Sequence, residues 1–191
     1  MKKLVMVILI FSLGLFMFSC GGGKASTVPG SDIVAPDWYL NPPEDPNFLM
    51  AVSTATSQDM QLAIDKAKNQ ARADIAQQLE VKMKGLEKNF REEVGTGEET
   101  QLLSQFTSVT KSVVSNVLRG VKVKQQQIKK EGNVFRAYVL MEMPIGAASE
   151  DLLNKIKKQQ EMYTRFRATQ AFKELEDEVD KYEKFKESQG Y

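Results

Sequence analysis

Hydrophobic and polar positions change period several times along the chain, and each change predicts an element. Phe48 to Ala55 (FLMAVSTA) is an apolar run that turns small and polar, the pattern of a buried strand. Thr56 or Ser57 can cap a helix with Asp59 in its first turn. Along SQDMQLAIDKAKNQARADIAQQLE the positions Met60, Ile64, Ala67, Ala71, Ile75 and Leu79 step by threes and fours, which predicts an amphipathic helix. Alanines at 63, 67 and 71 would let that helix approach a sheet closely, with Lys66, Lys68, Arg72 and Asp74 turned outward. From Leu79 to Lys84 apolar and polar residues alternate. The alternation predicts a strand over Val81 to Glu92, although the helix could also run on through it.

Gly95-Thr96-Gly97 interrupts the pattern, and Leu102, Leu103, Phe106, Val109, Val113, Val114 and Val117 then predict a second helix ending near Gly120. Val121 to Lys124 and Asn133 to Met143 both alternate around Glu131-Gly132-Asn133, the signature of a hairpin. After Pro144 and Gly146, residues 150 to 187 read as one long or once-broken helix. In it Phe172, Leu175, Val179 and Tyr182 form a short stripe that does not join smoothly to Tyr163 and Phe166. The stripe either packs on the domain or projects to bind a partner. The order strand, helix, strand, helix, strand, strand, helix predicts an α+β fold: a small, mostly antiparallel sheet with helices on one face, plus a long C-terminal helix.

The start of the chain is patterned differently. Lys2 and Lys3 precede an apolar run from Leu4 to Phe18, with Ser19 and the single cysteine, Cys20, at its end. That is the layout of a secretory signal. A helix of fifteen residues covers about 22 Å, less than the roughly 30 Å hydrocarbon core, so a lasting transmembrane anchor is the weaker reading. Gly21 to Pro36 (GGGKASTVPGSDIVAP) lacks apolar period and reads as a tether with a reach of about 22 Å. The expected organisation is a signal over 1–19, a tether over 20–36, an α+β domain over 37–144 and a helical extension over 145–191.

Composition narrows the chemistry. Removing residues 1–19 takes two of the 26 basic side chains, leaving 24 against 25 acidic ones. A near-neutral chain with scattered lysines offers no long-range field for nucleic acid. Histidine is absent, which removes the usual general base, zinc ligand and pH switch. With one cysteine, no intramolecular disulfide can staple the domain.

Met17-Phe18-Ser19-Cys20 resembles the bacterial lipobox, in which the cysteine is acylated and becomes the first residue of the processed chain. Ser19 and Cys20 fit that pattern, while Met17 stands for the usual leucine and Phe18 is bulkier than the usual residue. Together with Pro36-Asp37-Trp38, the strand FLMAVSTATS and the helix bearing Ala67, Ala71, Arg72, Ile75 and Ala76, this resembles the twenty-kilodalton bacterial outer-membrane lipoprotein family over roughly residues 36 to 144. The family's domain is similar to the N-terminal module of flagellar assembly protein T. The resemblance implies a non-enzymatic envelope lipoprotein, surface-exposed or engaged in envelope or flagellar assembly, and Gly21 resembles the sorting pattern that permits outer-membrane delivery.

Candidate sites follow from these readings. Cys20 is the expected lipid attachment point, and the membrane its first partner. Trp38 and Tyr39, between Pro36 and Pro42-Pro43, are either a ligand platform or an anchor for Trp38 in the domain core; with Phe172, Leu175, Val179 and Tyr182 they are the candidate contacts for an unidentified envelope protein. Glu92, Glu93, Glu98 and Glu99 lack the alternating ligands of a calcium loop and read as solvated charges. The same carboxylates could serve a hydrolase, but nothing in the sequence fixes their separation. The Gly95–Gly97 break has no following Lys-Ser/Thr of a phosphate loop, and the lysines of VKVK and IKK read as the solvent face of strands. No cofactor is expected. The competing functional readings are a carboxylate-based envelope hydrolase and a protein held in the inner membrane by an uncleaved anchor.

Overall fold

The computed structural model describes residues 35–95 and 100–189. The expected signal, Cys20 and the tether up to residue 34 lie outside the described residues, as do Glu98 and Glu99. The elements are α1 (Asp37–Leu40), β1 (Phe48–Ser57), α2 (Met60–Val94), α3 (Thr100–Val117), β2 (Lys122–Glu131), β3 (Val134–Pro144), α4 (Ile145–Lys157), α5 (Gln160–Phe166) and α6 (Gln170–Gln189). The fold is α+β, as the pattern predicts: a three-stranded antiparallel sheet ordered β1-β3-β2, with a long C-terminal helix.

The hairpin forms because Gly132 adopts φ +58° at the first central position of a two-residue turn, where a Cβ would be strained. Central strand β3 alternates. Ala137, Val139, Met141 and Met143 enter the core, while Tyr138 and Leu140 are buried on the opposite face. The core face receives α2, whose Ala63, Ala67 and Ala71 are fully buried. Side chains this small bring the helix backbone within reach of the sheet. The buried Ser53 hydroxyl of β1 donates to the Ala67 carbonyl.

The strand expected over Val81 to Glu92 is helix, so α2 runs unbroken for 35 residues. Leu79, Met83, Leu86, Phe90 and Val94 continue the apolar stripe at helical spacing, and Glu, Lys, Leu and Met sustain a helix intrinsically. Val81 produces the apparent alternation and is 70% exposed. A helix of this length spans about 52 Å, while a ten-residue strand spans about 33 Å. The end of α2 therefore outruns the sheet and needs other cover. The later helices supply it through an aromatic cluster, with Phe90, Phe106 and Phe166 ring centres 4.7 to 5.2 Å apart and Phe172 5.6 Å from Phe166.

The C-terminal segment is broken twice, at 158–159 and 167–169, rather than once or not at all. Neither break contains Gly or Pro; the second is held by capping. The Thr169 hydroxyl accepts from Phe172 N, and the Glu93 carboxylate at the end of α2 accepts from Gln170 N at 2.7 Å and Ala171 N at 3.2 Å. This offset explains why the Tyr163/Phe166 positions do not continue into the stripe that begins at Phe172. Helix α6 then packs on α4, where Gly146 meets Tyr182, the Ser149 hydroxyl donates to Glu178, and Lys186 bonds both Glu150 oxygens at 3.1 Å.

Candidate functional site

The candidate contact residues separate into two groups. Phe172, Leu175 and Val179 are 5%, 3% and 6% exposed, so the stripe considered for a partner is spent on the protein's own core. Tyr182 is half-buried, stacked on Phe185 and crossed by the Lys186 ammonium 4.8 Å from its ring centre. Helix α6 thus packs on the domain instead of projecting.

Trp38 and Tyr39 lie on α1, a single turn that contacts β3. Pro36 is buried, Trp38 and Tyr39 are half-buried, and the Tyr39 ring meets Tyr138 edge-on at 5.0 Å. Tyr138 belongs to the sheet face away from α2. Trp38 is half-buried and is not among the residues of the core cluster that α2 and the later helices share with the sheet. Nearby, Lys129 crosses Tyr138 at 5.9 Å. Arg136 hydrogen-bonds the Glu131 carboxylate and holds it below its ordinary pKa; that bond raises Arg136 in turn. The result is an aromatic and cationic strip on the outer sheet face, beside the point where the described chain begins.

A second feature was hidden by the strand reading of residues 81–92. Once α2 is continuous, Lys84, Lys88 and Arg91 fall three or four residues apart on one flank. With α3 they bound an open groove of about 710 Å³. Met83, Thr110 and Val114 are its buried lining residues, and its charged walls carry Lys84, Lys88, Arg91 and Lys111 against Glu80 and Glu87. The Thr107 hydroxyl donates to Glu87 at 2.6 Å and Arg91 reaches the same oxygen at 3.0 Å, so Glu87 is fixed between the helices. Among the described residues, the ion pairs of Lys84 and Lys88 are long, 3.8 Å to Glu80 and 3.7 Å to Glu92. A helical rather than alternating reading of LEVKMKGLEKNFR would have revealed this cationic flank.

The acidic pair at the end of α2 divides its roles: Glu93 caps α6, whereas among the described residues Glu92 makes an exposed contact to Lys88. Among the described residues, no three acidic or thiol side chains are grouped to hold a metal ion, and no helix is long and apolar enough to cross a membrane.

No curated protein matches the chain. The family model for LPP20 lipoprotein matches residues 36–143, from the buried Pro36 through the last core residue of β3, and so takes in the whole sheet, α2 and α3. With more than half of its length matched, the chain belongs to the LPP20 lipoprotein family.

Proposed function

We propose that the protein is a non-enzymatic binding module of the bacterial outer membrane, acylated at Cys20 and working through contacts with another envelope protein. Family membership is the observation that carries this reading, since a bacterial lipoprotein is anchored through an acylated cysteine and Cys20 is the single cysteine of the sequence. That cysteine ends a charged and apolar signal-like run and precedes three glycines. Several acyl chains, each methylene worth about 0.8 kcal/mol when buried, exceed the single chain that gives only reversible attachment. The partner-facing residues are Trp38 and Tyr39, which enter the domain directly after the tether and sit beside the cationic strip of the sheet. Gly21 in place of an aspartate favours delivery to the outer membrane, and a role in envelope or flagellar assembly follows from the same resemblance.

Mass spectrometry of the processed N-terminus, with membrane fractionation, tests the anchor. The expected result is an acylated Cys20 at the new terminus, accumulation of precursor with globomycin, and loss of the outer-membrane pool in Cys20→Ala. An unmodified Cys20 in an intact chain would refute it and favour an uncleaved anchor.

A further inference from the structure

The two edges of the sheet are protected very unequally. Outer edge β2 carries Lys122, Lys124, Lys129 and Lys130 and breaks register between Val123 and Gln125, both devices that discourage further strand pairing. The other edge, β1, is ten residues long with no charge, no proline and no break in register with β3. Its free groups can be assigned. Ile145 N donates to Asn47 O, so alternate residues from 47 to 57 bond toward β3 and the intervening ones point away. The Gln78 amide confirms the parity by capping the outward Met50 carbonyl at 3.0 Å. Val52, Thr54 and Thr56 are left presenting their N–H and C=O groups along the edge, and no described residue pairs with them.

We propose that this edge pairs antiparallel with β1 of a second copy, on a dyad through Thr54, giving a continuous six-stranded sheet. The three free residues match this register: Val52 lies opposite Thr56 and Thr54 opposite its own mate. On the face carrying α2 the rungs are Ser53 with Ala55 and Ala51 with Ser57, all small and uncharged, so pairing brings no bulk or like charge together. The Thr54 hydroxyl is buried with no hydrogen-bond partner among the described residues. Rotated toward the dyad, it meets the second Thr54 hydroxyl, a recognised cross-strand pair. Helix α2 lies over both β1 and β3, so two copies would set their helices about 10 Å apart, within helix-packing range. The flank of α2 that bears Gln78 also carries Val81, the most exposed large apolar residue of the described chain. The same pairing across β2 would set lysines against lysines and glutamines.

Sedimentation of the detergent-solubilised full chain, with reductant present to exclude cross-linking through Cys20, tests the pairing. The expected protein mass is twice that of one chain. Thr54→Lys sets two charges face to face on the dyad, and Thr56→Pro deletes an N–H that only the intermolecular ladder uses, so each should halve the mass while circular dichroism stays native. Gln126→Pro on β2 should leave the dimer intact. A monomeric wild-type chain, or a dimer that survives both folded β1 variants, would overturn the proposal.

Discussion

Gly146 is where α4 and α6 come closest, and adding one methyl there tests how tightly the C-terminal helices are joined to the family domain. A Cβ on Gly146 would lie 2.1 Å from Tyr182 Cβ and 2.4 Å from Cγ, against an ordinary contact of 3.4 Å or more. Tyr182 Cβ is fixed to its backbone, so no rotamer change relieves the overlap and α6 must retreat by roughly 1.3 Å. That movement stretches the Ser149–Glu178 bond of 2.7 Å and the Lys186–Glu150 bonds of 3.1 Å beyond useful length. Overpacking costs about 1–3 kcal/mol and the lost Ser149–Glu178 bond about 1 kcal/mol, while the helix-propensity gain of Ala over Gly returns up to about 1 kcal/mol. Gly146→Ala should therefore destabilise by about 1–3 kcal/mol and lower Tm by about 3–10 °C. Urea unfolding followed by circular dichroism measures it. Gly85→Ala, with nothing within 4 Å of its Cβ, is the matched control and should stabilise slightly. Tyr182→Gly should absorb most of the Gly146→Ala effect in the double variant. A Gly146→Ala protein as stable as the parent would show that the close approach of α4 and α6 does not hold in solution.

Two further measurements follow from the same packing. Glu93→Ala removes the acceptor for Gln170 N and Ala171 N and should cost about 1–2 kcal/mol in urea unfolding, while Glu92→Ala should change stability by less than about 0.5 kcal/mol. The hydrogen bond to Glu150 raises Lys186 above its ordinary value of 10.5, so its contribution is fully present below that pH and is lost as pH rises through the folded pKa. Alkaline titration of Tm should show this loss in the parent and not in Lys186→Met. At the hairpin tip the sign is opposite: the Arg136 bond lowers Glu131, so its contribution holds above 4.5 and fades as pH falls through the folded pKa. Arg136→Met should remove that acid-side component.

Much of this molecule is local enough to read directly. The alternation in NVFRAYVLMEM, the glycine at 132 and the threes and fours from Met60 to Leu79 each fix an element through contacts within a few residues, and together they give the α+β class. Cys20 after its apolar run is equally local, and it carries the expectation of where the protein works. Residues 81–92 show where this fails. Two periods overlap there, and the helix prevails because Met83, Leu86 and Phe90 find cover from α3, α5 and α6, elements distant in sequence. The break at 167–169 was illegible for a similar reason: its capping carboxylate, Glu93, comes from another helix 77 residues earlier. Burial of Phe172, Leu175 and Val179, the cationic flank along α2 and the open edge of β1 likewise depend on which surfaces the fold sets against each other. Sequence by itself determined the elements whose stability comes from their own neighbours. Tertiary structure alone decided where one helix ends, which apolar stripe is consumed inside the protein and which backbone groups remain unpaired, because those outcomes rest on desolvation by partners that no local pattern names.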